Sequence, residues 1–347
     1  MWAAFLLLVL IVLAFDLGFF SRESKTLSAK TALVRTGAYF LMAMLFTVFV
    51  YFAYEYHWQG IGIVPEGKND KWLPDTGREA AMMFIMGYLL EQTLSVDNIF
   101  VIALIFGFFK VPIAYQHRVL LWGILGALIM RGVMIALGSV LIAQFAILTY
   151  FFGAFLIFTA YKMLLADEDA EINFEKNFIV RLLSRRLHPQ FVGDQFFTRI
   201  DGKRAITPLF LALVVVETTD LFFAIDSIPA VLGLTQDPFL VFTSNVFAIL
   251  GLRSLYFALA DLLGRFHLLK YSLVVILGFV GAKMLIEKDF IPHSYKEFVN
   301  IFSFVVIVLS LIGGVIASFI YPEKPKPPPE ISATPALETP APDKATP

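Results

Sequence analysis

Two pairs of acids stand in apolar surroundings with the same spacing. Glu91 precedes Asp97 by six residues in LLEQTLSVDNIF, and Asp220 precedes Asp226 by six in ETTDLFFAIDSIPAV, with Glu217 one turn earlier. Carboxylates inside apolar spans cost about 2.5–3.5 kcal/mol each by insertion scales and normally face a partner or a water-filled cavity. Asn98 and Ser227 directly follow the two Asp residues, and Asn245 lies in a further apolar stretch with Thr243 and Ser244, which could add ligands or bond between helices. Carboxylate, amide and hydroxyl oxygens suit hard cations such as manganese, calcium or magnesium, and excess negative charge suits a divalent one. Arg131 and Arg253 are placed to act as internal counterions for two of the acids. Lys162 and Lys283 stand near span ends, where they can snorkel to a headgroup region. The same acids also read as buried ion pairs that fix helix register, or as desolvated carboxyls exchanging protons for metal. Helical spacing sets Glu91, Ser95 and Asn98 on one face and Glu217, Asp220 and Ser227 on another. Pro229 is expected to break its helix and free carbonyls beside the acids.

The elements that must position these groups are membrane spans. The chain has 347 residues, 59% hydrophobic and 16% charged, with 37 Phe and a mean hydropathy of +0.78, more apolar surface than soluble cores can enclose. The expectation is an all-α, multi-pass transmembrane bundle. Runs long enough to cross a hydrocarbon core fall near 2–20, 33–54, 80–108, 119–143, 145–165, 206–232, 239–260, 271–286 and 298–320, about nine spans. The first has no basic residues ahead of it and no cleavage pattern behind it, so it reads as a span, not a signal. Lys and Arg concentrate in alternate connections, including Arg22, Lys25, Lys110, Arg118, Arg185, Arg186, Arg204 and Arg265, which predicts N-terminus outside and C-terminus cytoplasmic.

A net charge of −1 and a pI near 6.5 give no case for nucleic acid. With no Cys, the chain has no disulfide, thiolate metal site or thiol redox chemistry, and its five His all lie in connections, so no intramembrane haem is expected. Nothing marks an enzyme or a permanently bound cofactor.

Three landmarks recur in order. Glu91/Asp97 matches Asp220/Asp226, Arg131 matches Arg253, and Lys162-Met163-Leu164 matches Lys283-Met284-Leu285, at offsets of 129, 122 and 121 residues. Three spans thus align on three others of opposite direction, the inverted plan of many secondary transporters. The organisation is then two flanking spans and an outer loop over 1–78, a first three-helix repeat over 79–165, a cytoplasmic connection over 166–204, a second repeat over 205–286, a last span over 287–321 and a Pro-rich tail, read as disordered, over 322–347. In the connection, the acids from Asp167 lack the Gly and the final Glu of a calcium loop. FIVRLLSRRL reads as an interfacial helix, and Asp201-Gly202 signals a hairpin.

EQTLSVDNIFV, the long stretch from VVVETTDLFFAIDSIPAV to AILGLRSLYF and the paired KML motifs resemble the TerC family over roughly residues 1–320. The resemblance implies a multi-pass protein of the bacterial cytoplasmic membrane tied to manganese efflux or homeostasis, with a name from tellurite resistance and an older label of redox modulator. It also implies that Glu91, Asp97, Asn98, Glu217, Asp220 and Asp226 handle the ion. The expected partners are the bilayer and a divalent cation, most readily manganese, as cargo for export by alternating access. The alternative is a membrane scaffold or assembly factor in metal or tellurite stress without transport of its own. Tellurite, an oxyanion, would be repelled by a core with more carboxylates than cations.

Overall fold

The computed structural model describes residues 1–20, 29–63, 72–145, 147–165, 187, 190–200, 203–259, 268–290, 292 and 295–321. Helices dominate because apolar chain in a bilayer must satisfy its backbone hydrogen bonds internally. Among the described residues there are nine: α1 (Trp2–Phe20), α2 (Ala29–Glu55), α3 (Gly77–Phe108), α4 (Ile113–Gln144), α5 (Ile147–Leu165), α6 (Pro208–Leu232), α7 (Pro238–Leu259), α8 (Leu269–Phe290) and α9 (Lys296–Ile320). Eight are long and apolar enough to cross a membrane, and α1 carries a shorter apolar run, Trp2–Phe15. The junction at Gln144 separates two helices. A short hairpin, β1 (Phe197–Ile200) and β2 (Lys203–Ile206), stands where Asp201-Gly202 signalled one, though those two residues lie outside the described set. So do the Asp167 acids, nearly all of FIVRLLSRRL, and the tail.

Local chemistry sets several helix starts. The Thr76 hydroxyl accepts from Glu79 N–H at 3.2 Å, and Glu79 reaches back to accept from Asp75 N–H at 2.9 Å, a reciprocal cap for α3. Thr207-Pro208 and Asp237-Pro238 open α6 and α7, each pairing a capping oxygen with a proline at the first helical position. Pro229 does not break α6, contrary to expectation: the helix runs on to Leu232, and Gly233 N–H donates to the Pro229 carbonyl at 2.9 Å. The proline falls in the last turn, where its missing N–H interrupts one bond and little helix remains to kink.

Helix α7 is the most enclosed span and packs against α2, α3 and α4, while α3 also meets α6 and α4 lies along α6. Outside this group α5 crosses α8 at backbone contact. A Cβ on Gly281 would lie 2.7 Å from the Gly153 carbonyl oxygen and 3.2 Å from Ile157 N, so only glycine fits. Gly281→Ala is therefore expected to cost about 1–3 kcal/mol and lower the melting midpoint in detergent. Gly278→Ala, whose Cβ would be 4.0 Å from Ala160, is the tolerated control. Equal midpoints for the two variants would show that the crossing relaxes freely.

The connections at one end are tied together. Trp72 gives its carbonyl to Gln236 N–H and to the Thr235 hydroxyl, both at 3.1 Å. Asp237 is buried there, capping α7 through Phe239 N–H at 2.9 Å and Leu240 N–H at 3.2 Å. Burial pushes its carboxyl above the ordinary carboxylate value, against the opposing pull of the Tyr54 hydroxyl and the two backbone donors. A raised pKa in the folded state means the unfolded chain gives up this proton more readily. Its contribution is thus greatest below about pH 3.9 and declines as pH rises through the folded value. Asp237→Asn keeps the capping oxygen, so wild type should lose thermal midpoint relative to it as pH rises from the unfolded carboxylate value through the raised folded one, and the gap should level off above that. A pH-independent gap would contradict this account.

Candidate functional site

Four helices bring the buried charges to one point. Arg131 projects from α4, where Glu91 of α3 forms an ion pair with its Nη1. From α6, Asp220 accepts from Nη2 at 2.9 Å and from Nε at 3.2 Å, a two-pronged carboxylate–guanidinium contact. Asn245 of α7 closes the ring: its amide oxygen accepts from Nη1 at 3.1 Å, and its amide nitrogen donates to Glu91 at 3.0 Å. Asn98, two turns beyond Glu91, donates weakly to Asp220 at 3.5 Å. Glu91, Arg131 and Asn245 are almost wholly buried, with 0%, 2% and 1% exposure, so their fields are little screened. One guanidinium between two carboxylates leaves this network one negative charge in excess.

Counterions are distributed differently from the expectation of one acid for each arginine. Arg131 takes two acids itself, one from each of the aligned helices α3 and α6. Arg253, also buried, lies within electrostatic reach of His117 near the start of α4. Glu217 is half-buried beside Asp220, and its carboxylate rests on α4 at Gly126, where a Cβ would collide with it. Asp226 accepts from the Thr159 hydroxyl of α5 at 3.3 Å, with Lys162 within electrostatic reach. Asp97 lies in α3, but its side chain is outside the described set. Among the described residues no three acidic or histidine side chains are grouped to hold a metal ion.

Lys162 is exposed, as a snorkelling residue would be, but Lys283 is turned inward at 6% exposure, its ammonium 5.2 Å from the centroid of the Trp72 ring. Folding of the Trp72 segment over this end of α8 supplies an aromatic face in place of the headgroup region. Thr243 and Ser244 donate to carbonyls of their own helix at 2.7 and 3.2 Å, and only Asn245 of that trio reaches between helices. Ser227 is buried, and among the described residues neither its hydroxyl nor the buried Asn98 amide oxygen has a hydrogen-bond partner. Sequence reasoning missed Thr159 as the partner of Asp226; its one signal is its place a turn before Lys162.

A polytopic membrane bundle with an arginine bridging acids from two of its spans is the class that fold and site define. Residues 76–326 match the model of the integral membrane protein TerC family, and the chain belongs to that family. It is 40% identical over 322 residues to an uncharacterized membrane protein of Myxococcus xanthus, covering 92% of this chain and 90% of the relative. It is 41% identical over 288 residues to a protein of Escherichia coli K12 named as a candidate membrane-bound redox modulator, Alx, covering 82% of this chain and 85% of that one. It is also 37% identical over 321 residues to a membrane protein of Rickettsia felis, covering 92% and 97%. No solved structure matches the chain.

Proposed function

We propose that the protein exports a divalent metal cation, manganese before calcium or magnesium, by alternating access between two inverted three-helix repeats in the bacterial cytoplasmic membrane. The N-terminus is outside and the C-terminus cytoplasmic. The observation that carries this reading is the meeting of Glu91 and Asp220, acids at matching places in the two repeats, at one buried point. Desolvated carboxylates of this kind mark ion pathways in membrane proteins. The Asn98 and Ser227 oxygens, which have no hydrogen-bond partner among the described residues, add hard donors on the same two helices.

Packing supports the repeat. The α3–α7 contact has its counterpart in α6–α4 with the halves exchanged, and Ile157 against Gly281 has its counterpart in Gly278 against Ala160. Self-complementary contact of this kind is what a two-fold relation between halves produces. Nothing in the reading needs an enzyme activity or a resident cofactor, and without Cys the chain has no thiol for a redox role.

The Arg131 network also favours a second reading, a scaffold in which the bridge holds helices in register without transport. Manganese flux into proteoliposomes, with and without a pH gradient, separates the two. An exporter moves the ion and shows whether protons drive it; folded protein giving no flux above empty vesicles leaves the scaffold.

A further inference from the structure

Glu217 sits apart from the network although it lies one turn from Asp220. Its carboxylate lies against the α4 backbone at Gly126, a position where any side chain on α4 would displace it. No ion pair joins it to a described Lys or Arg. Arg131 belongs to the same helix as Gly126, and the side chains of Glu217 and Asp220, three apart on α6, have Cβ atoms about 5–6 Å apart. Glu217 is thus the acid one turn along α6 from the carboxylate that Arg131 now holds. Arg131 is bonded to both Glu91 and Asp220, so a divalent ion taking those oxygens together would compete with it.

We propose that Glu217 is the second resting place of the Arg131 guanidinium. Cargo that binds Glu91 and Asp220 drives Arg131 onto Glu217, and release of cargo lets it return. This rests on the reading of the protein as a divalent-cation transporter, and it makes Glu217 a positioning residue instead of a ligand. The glycine at 126 is explained with it, since the carboxylate must lie flat on α4 to receive a group from that helix. Charge is balanced throughout: the arginine always faces a carboxylate, and a buried guanidinium is never left alone.

The test is a double-mutant cycle read as Mn2+ affinity of the purified full-length protein in detergent. Glu217→Gln should weaken Mn2+ binding about tenfold in wild type, because displaced Arg131 then has no acid to meet, and less than about twofold in an Arg131→Gln background. A tenfold loss in both backgrounds would make Glu217 a direct ligand and overturn the proposal; so would no loss in either. Mn2+ should also restore the melting midpoint of Arg131→Gln. Should that variant not fold, infrared difference spectra of protein carrying guanidino-13C arginine serve instead. Mn2+ should shift the guanidinium band in wild type, the shift should change in Glu217→Gln, and an unmoved band in wild type that binds Mn2+ rejects the idea. Wild type that binds no Mn2+ refutes the transporter reading itself, an outcome distinct from all of these.

Discussion

Arg131→Gln lowers the stability of the folded protein by about 3–5 kcal/mol, because it strands the buried Glu91 and the partly buried Asp220 with no cation between them. Glu91 is fully enclosed, and its other contact, Asn245, donates a neutral hydrogen bond that cannot offset a charge. The loss should appear as reduced protein in the membrane and a lower melting midpoint in detergent without added metal. Removing one acid as well, in Arg131→Gln/Asp220→Asn, should recover part of it, since one uncompensated carboxylate is then left instead of two. Wild-type stability in the single variant would mean that water reaches these carboxylates, and that the bridge is an exposed pair of little worth.

The largest functional effect is expected at Asp220. Asp220→Asn keeps the size of the side chain and a contact for Arg131, while Glu91 still holds the guanidinium, so the protein should reach the membrane at normal level. Its manganese flux should fall at least tenfold, roughly the scale on which altered metal-site partners change affinity or activity. Asp226→Asn tests a different place. Its carboxylate accepts from Thr159 outside the Arg131 network, and a comparable loss of flux there would extend the ion path toward α5. Full flux in Asp220→Asn would remove the central acid pair from the transport mechanism.

The spans were legible because apolar length is written directly in the chain: the helices start and stop within a few residues of the hydropathy runs, and Thr207-Pro208 and Asp237-Pro238 mark two starts outright. The acids, Arg131 and Asn245 could also be picked out, since each is rare in such surroundings. Who pairs with whom could not. That one arginine reaches acids on two helices depends on how α3, α4, α6 and α7 converge, a long-range property that spacing along one helix does not carry. Lys283 failed for the same reason: its environment is made by Trp72, far away in sequence. Pro229 failed because a proline's effect depends on how much helix follows it, and only three residues do.

The crossing of α5 and α8 bears on how the bundle can move. With Gly153 and Gly281 bringing backbone to backbone, Ile157 and Leu285 flank the contact as stops on either side. Sliding one helix along the other would drive these side chains into main chain, whereas a small turn about the crossing point changes the distances there least. If the two three-helix sets rock as proposed above, this seam is where they would pivot, since its backbone contact leaves little room to slide.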